Sequence, residues 1–278
     1  MRVDDSIQTA LGARPVSSSV ISIAHGRTAT RVRLDDGRDV FVKSGDARVV
    51  EAEARGLRWM GEGGARVPEV LATTASALVL EWIDVASATR EANEAFGRTL
   101  AALHRSGAYS FGLDHDNWLA SIPQDNRARV DWPTFYAERR LAPLLARAVD
   151  RDAASVRMRR GVEDVVRTIR ARVGPDEPPS RLHGDLWSGN VLWDARGAVL
   201  IDPAVYGGHR EIDLAMMHLF GGFDPRTFAA YAESAPLASG HRERVPLYQL
   251  LPLLAHCVLF GGGYVASVEQ ALDRLGAA

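Results

Sequence analysis

The sequence predicts an α+β protein in two lobes. A small antiparallel β-sheet with one helix is expected over residues 1–83, and a larger, mostly helical lobe over 84–278. Three observations predict this arrangement. Short apolar runs separated by turn signals fill the first eighty residues, and helical periodicity takes over beyond Asp84. A polar cluster, RLHGDLWSGNVLW (181–193), then stands just before the apolar strand AVLIDP (198–203).

Taken in order, VSSSVISIA (16–24), ATRVRL (29–34) and RDVFVK (38–43) read as strands, the last two joined by the hairpin signal DDG. DARVVEAEARGLRWMG (46–61) carries apolar residues at helical spacing, with Asp46 placed to cap its start. EVLATT (69–74) and ALVLEWI (77–83) complete a β-β-β-α-β-β order. Helices follow at 90–107, 133–148 and 152–173. GPDEPPS (174–180) ends that run, and NVLW and AVLID read as short strands about the turn DARG (194–197). Further helices are expected at about 211–220, 225–233 and 243–273.

The composition narrows the function classes. With 46% hydrophobic and 24% charged residues the chain is of the soluble globular kind, and a net charge of −2 gives no general attraction to nucleic acid or to an acidic membrane surface. Cys257 is the only cysteine, which excludes an intrachain disulfide and a Cys-based metal site; its apolar setting, LLAHCVLF, implies a buried, inert thiol. The N-terminus lacks an apolar signal region and no apolar run is long enough to span a bilayer, so a cytoplasmic location is expected. Among 33 cationic side chains Lys43 is the only lysine, either by compositional drift or because Arg will not do at that position.

The chemistry concentrates in HGDLWSGN. Asp185 and Asn190 have the D-x-x-x-x-N spacing of a phosphoryl-transfer catalytic loop, in which the Asp takes a hydroxyl proton and the Asn oxygen holds a hard cation such as Mg²⁺. Alone, that spacing is weak. Asp202 strengthens it, because it ends the next strand but one and can bridge metal and phosphates. Lys43, ending a strand, is the expected grip on a nucleotide's phosphates. Its acidic partner is expected on the following helix, where Glu53 borders the apolar stripe of Val50, Ala54, Leu57 and Met60, while Glu51 sits further round. His183 reads either as a ligand or as a brace for the loop backbone. Asp213 reads either as a surface acid or as an acceptor of loop N–H groups. Trp187 reads as a plate for the apolar face of a sugar or as core packing. Gly26, in AHGRTAT, is the only glycine in the expected phosphate-covering stretch, which lacks a G-x-G-x-x-G run and reads equally well as an ordinary hairpin turn. LEWI (80–83) reads as a hinge whose backbone at Glu81 and Ile83 meets an adenine edge, or as a plain strand end.

These residues, with the long block IDPAVYGGHREIDLAMMHLFGGF, resemble the fructosamine kinase (ketosamine-3-kinase) family of the aminoglycoside-phosphotransferase-like group, which has a protein-kinase-like fold. The resemblance extends upstream through FVKSG, EAEARGLRWM, LVLEWI, LHRSGAYSFGLDHDNWLASIPQDN and DWPTFYAERRLAPLL, and so covers nearly the whole chain. It implies ATP-dependent phosphorylation of a sugar hydroxyl on a ketosamine, with ATP and Mg²⁺ as cofactors and a small glycated amine as partner; in the family this step starts removal of the adduct. It also implies the roles: Lys43 and Glu53 for the phosphates, Asp185 as base, Asn190 and Asp202 for metal, and Trp187 beside the substrate. Eukaryotic relatives carry a Cys in the phosphate-covering loop. Here His25 and Gly26 stand there, so redox control through that loop is not expected.

Rival readings are an aminoglycoside or choline-type phosphotransferase, a nucleotide-binding pseudokinase, and a metal hydrolase using His183 and Asp185. FGLDHDNW has too few acids to decide for a polycationic substrate. A decayed kinase would be expected to lose one of Lys43, Asp185, Asn190 and Asp202, and a hydrolase would need further clustered His ligands.

Overall fold

Alternation along the strands decides which side chains meet each face of the sheet. In the computed structural model, which describes residues 3–24 and 27–277, β1 (Pro15–Ala24), β2 (Arg27–Leu34), β3 (Asp39–Ser44), β4 (Val70–Thr73) and β5 (Ala77–Glu81) form an antiparallel sheet in the order β1-β2-β3-β5-β4. Val40, Val42, Ala77 and Val79 point to one face, together with Ile7 of an N-terminal helix α1 (Val3–Leu11). Leu78 and Leu80 point to the other, against Val50, Ala54 and Leu57 of α2 (Ala47–Glu62). Because side chains alternate, Lys43 shares the α2 face with Phe41. Asp46 caps α2 by accepting the Arg48 N–H at 3.0 Å, as the sequence predicts. Helix α1 is an addition to the predicted single helix of this part: nine residues, of which Ile7 and Leu11 meet the core, give little periodicity to read.

The remaining chain is mainly helical: α3 (Arg90–Arg105), α4 (Trp132–Phe135), α5 (Ala142–Asp150), α6 (Val156–Thr168), α7 (Glu211–Phe220), α8 (Pro225–Ser234), α9 (His241–Phe260) and α10 (Val265–Arg274). Two differences from the expected helices have local causes. The helix expected at 133–148 contains a π-helical turn, Tyr136–Leu141, between α4 and α5, where the fully buried Arg140 turns inward. The single stretch expected at 243–273 is split at Gly261–Gly263; Gly261 adopts φ +82°, a conformation glycine takes without strain.

Short antiparallel pairs frame the segments that carry Asp185, Asn190 and Asp202. β6 (Asn117–Leu119) pairs with β7 (Ile122–Gln124), β8 (Ser180–Leu182) with β11 (Tyr206–Gly208), and β9 (Val191–Asp194) with β10 (Gly197–Leu200) through the DARG turn. Asp194 stabilises that turn by accepting the Arg196 N–H at 2.8 Å and ties it to Arg66 through a two-point ion pair. Cys257 is fully buried, as its apolar neighbours imply. Among the described residues no helix is long and apolar enough to cross a membrane.

Candidate active site

A cleft of about 730 Å³ lies where the sheet meets the helical part. It is lined by Lys43, Glu53, Asp185, Trp187, Asn190 and Asp202, residues up to 159 positions apart. Lys43 Nζ donates to Glu53 Oε1 at 2.8 Å and to Asp202 Oδ1 at 2.5 Å. Glu53 is 7% exposed while Glu51 is exposed, so the apolar stripe of α2 selected the acid that reaches Lys43. At Gly56 α2 packs closely on the segment after Asp202: a Cβ there would lie 3.3 Å from Val205 Cγ2 and 3.5 Å from Pro203 Cγ.

Pairing of β8 with β11 places the segment after β8 against the segment after Asp202, and Ala204 N–H donates to His183 O at 2.9 Å. The His183 ring is buried. Its Nδ1 accepts the Asp185 N–H at 3.2 Å, so Nε2 carries the proton and donates to Ile201 O at 2.9 Å. Burial pushes its pKa down, so the ring is neutral and braces the loop. Asp213, wholly buried in the first turn of α7, accepts the N–H groups of His183 at 2.8 Å and Gly184 at 2.9 Å, and His104 Nε2–H at 3.1 Å. Burial opposes its ionisation, but the His104 donor and the loop N–H groups outweigh that and hold the carboxyl below its usual range. Asp213 is therefore the buried acceptor rather than a surface acid.

Asn190 closes a 3-10 turn, Ser188–Asn190, and its Nδ2 donates to Asp185 O at 2.8 Å and Oδ2 at 3.1 Å. Burial raises the Asp185 carboxyl to about 7, with the Asn190 donor opposing and the charges of Asp202 and Asp213 adding to the rise. Asp202 has φ +52°, a left-handed backbone uncommon outside glycine, which turns its carboxylate back toward Lys43. Burial disfavours its charge, yet the Lys43 ammonium prevails and keeps it ionised. Asp202 and the Asn190 side-chain oxygen are a hard, oxygen-only donor set, which suits Mg²⁺ completed by phosphate oxygens and water. Groups of three or more His, Cys, Asp or Glu that could hold a metal are absent among the described residues.

Trp187 is 40% exposed, set edge-on to Phe220 with centroids 6.5 Å apart, so it lies at the cleft wall and not in the core. Glu81 and Ile83 do not line this cleft: Glu81 N–H is bonded to Glu69 O at 2.9 Å, and Ile83 is 7% exposed. Gly26 lies outside the described residues.

The sequence reading missed several lining residues. Arg27 opens β2 and shares Glu53 with Lys43; its place beside Gly26 was the available signal. His256, Phe260 and Tyr264 continue the aromatic wall from Phe220, with centroids 4.8–6.0 Å apart. Nothing local marked them, because LLAHCVLF reads as core. Asn117 and Trp118 come from the β6–β7 hairpin, whose Asn117 Nδ2 donates to Val205 O at 2.7 Å.

The chain matches the fructosamine kinase family over residues 2–277. It belongs to the fructosamine kinase family. It is 39% identical over 222 residues to a probable ketoamine kinase of Thermus thermophilus, covering 80% of each chain, and 37% identical over 241 residues to one of Lactiplantibacillus plantarum, covering 82% of each. Among solved structures, a candidate fructosamine-3-kinase of Thermobifida fusca superposes with a TM-score of 0.94 at 43% identity over 99% of both chains. Aminoglycoside phosphotransferases share the fold alone, with a TM-score of 0.64 at 13% identity for one of them. This member of the fructosamine kinase family is thus an ATP-dependent phosphotransferase with a protein-kinase-like α+β fold.

Proposed function

We propose that the protein transfers the γ-phosphoryl group of ATP to a sugar hydroxyl of a small ketosamine, with Asp185 as the base, and that this step serves deglycation. The observation that carries the reading is one cleft lined both by the Asp185 carboxylate, held by Asn190, and by the Lys43–Glu53–Asp202 network. In this reading residues 1–83 hold the nucleotide and 84–278 carry the catalytic loop and acceptor site.

Lys43, positioned by Glu53, orients the phosphates, and its ammonium offsets charge that develops on the leaving oxygen. The acceptor oxygen bonds to the γ-phosphorus as the bond to the β-phosphate oxygen breaks. The hydroxyl proton passes to Asp185, and ADP leaves. Mg²⁺, held by Asn190 and Asp202, would neutralise phosphate charge. Asn190 also fixes the Asp185 carboxylate through its 3.1 Å bond, and Asp213 fixes the loop backbone.

On the acceptor side, Trp187 offers a flat apolar face to the sugar. The acids lining the cleft are Glu53, Asp185 and Asp202, all assigned to phosphate, metal or base. Among the described lining residues no acid is left over for a polycationic aminoglycoside. The test is ATP turnover by the purified protein with fructosamine- and ribulosamine-type adducts, aminoglycosides and choline. Turnover with the ketosamines supports the reading, whereas turnover only with the other two classes overturns it.

A further inference from the structure

We propose that Arg27 is a phosphate ligand for the nucleotide, a second side-chain cation beside Lys43 that substitutes for the glycine-rich backbone cradle this chain lacks. The inference rests on the ATP-kinase reading above. Between β1 and β2 the sequence offers a single glycine, Gly26, where a glycine-rich cradle would carry several. Arg27, the first residue of β2, pairs with Ala24 of β1, and its side chain lines the same cleft as Lys43, Asp185 and Asp202.

Glu53 holds the two cations side by side. Its Oε1 accepts from Lys43 Nζ at 2.8 Å and its Oε2 accepts from Arg27 Nη2. Arg27 adds a second cation to the charge balance of the cleft. Its lining acids are Glu53, Asp185 and Asp202, and Arg27 stands beside Lys43 as a further positive charge where a polyphosphate would approach them. With Arg27 present, Glu53 is offset and Lys43 can serve Asp202 and the phosphates. Arg27 also has donors to spare. Glu53 engages one of the guanidinium's five N–H groups, Nε has no hydrogen-bond partner among the described residues, and the side chain is only 20% exposed. A planar, permanently charged fork with free donors beside the cleft lysine is suited to phosphate oxygens.

The test is calorimetric binding of ADP and of adenosine to the full chain in Mg²⁺ buffer, comparing wild type with Arg27→Ala and Arg27→Lys. Loss of a charge-assisted phosphate contact predicts about 10- to 100-fold weaker ADP binding for R27A, with adenosine affinity unchanged. R27K keeps an ion pair to Glu53, but its ammonium lacks the guanidinium's planar fork and the spare Nε–H, so it recovers ADP binding only in part. ADP affinity within about threefold of wild type in R27A, or full recovery in R27K, overturns the proposal; the latter would show that Arg27 only steadies Glu53. If R27A loses adenosine as well, the cleft has been disrupted and the R27K affinities alone decide: selective weakening toward ADP supports the proposal, and full recovery overturns it. A wild-type protein that fails to bind ADP would refute the kinase reading itself, and this proposal with it.

Discussion

Replacing Asp213 by Asn removes a charge without changing shape, and the structure says what that costs. The native carboxylate is fully buried and accepts three hydrogen bonds, from the N–H groups of His183 and Gly184 and from His104 Nε2. An Asn has one acceptor oxygen, so its amide nitrogen must face either the Gly184 N–H or the donors on the other side. At least one buried donor then meets another donor. Leaving such a group unsatisfied costs about 1–3 kcal/mol, and losing the charge-assisted character of the remaining bonds brings the total to about 2–4 kcal/mol. That is a large share of the ~5–15 kcal/mol typical of a folded chain. Urea denaturation followed by circular dichroism reads this loss directly. ATP turnover should fall with it, because His183 and Gly184 lead into Asp185, while ADP binding through Lys43 should hold. A D213N protein within about 0.5 kcal/mol of wild type, with unchanged turnover, would refute the claim that this carboxylate positions the loop.

Asp185→Ala is expected to abolish phosphoryl transfer while ADP still binds; calorimetry and a coupled assay check both, and retained transfer removes Asp185 as base. Trp187→Ala should raise the KM for a ketosamine about tenfold or more and leave ADP affinity unchanged, since Trp187 sits on the acceptor side of the cleft. His209 gives a pH prediction. Burial among Trp132 and Tyr248 pushes its pKa down to about 4. Between the unfolded value near 6.5 and that folded value, the unfolded chain binds a proton that the folded chain does not, so stability falls as pH drops through this window. The contribution from this residue is a loss of about 2 kcal/mol from pH 7 to 5. His209→Phe should flatten the denaturation profile there, and an equally steep profile in H209F would assign the slope to other groups.

Much of the site was legible because its signals are local. Lys43 and Glu53 follow from strand alternation and helical periodicity over some ten residues, and Asp185 and Asn190 sit in one short loop. The chain from Pro15 to Glu81 was likewise readable as strands and a helix, since each element carries its own apolar pattern and turn signal. The three-residue strands Asn117–Leu119, Ile122–Gln124, Ser180–Leu182 and Tyr206–Gly208 were not, because so short a segment has no periodicity.

By itself, then, the sequence determined which residues are equipped for the chemistry and which secondary structures hold most of them. The tertiary structure decided what surrounds them. It chose the buried-acceptor role of Asp213, brought Arg27 to Glu53, and carried His256, Phe260 and Tyr264 from the far end of α9 and the turn beyond it to the cleft opposite the sheet. Local propensity depends on neighbours within a turn or a strand pair. Contacts such as the one between Lys43 and Asp202, 159 residues apart, exist only once packed cores have brought distant segments together.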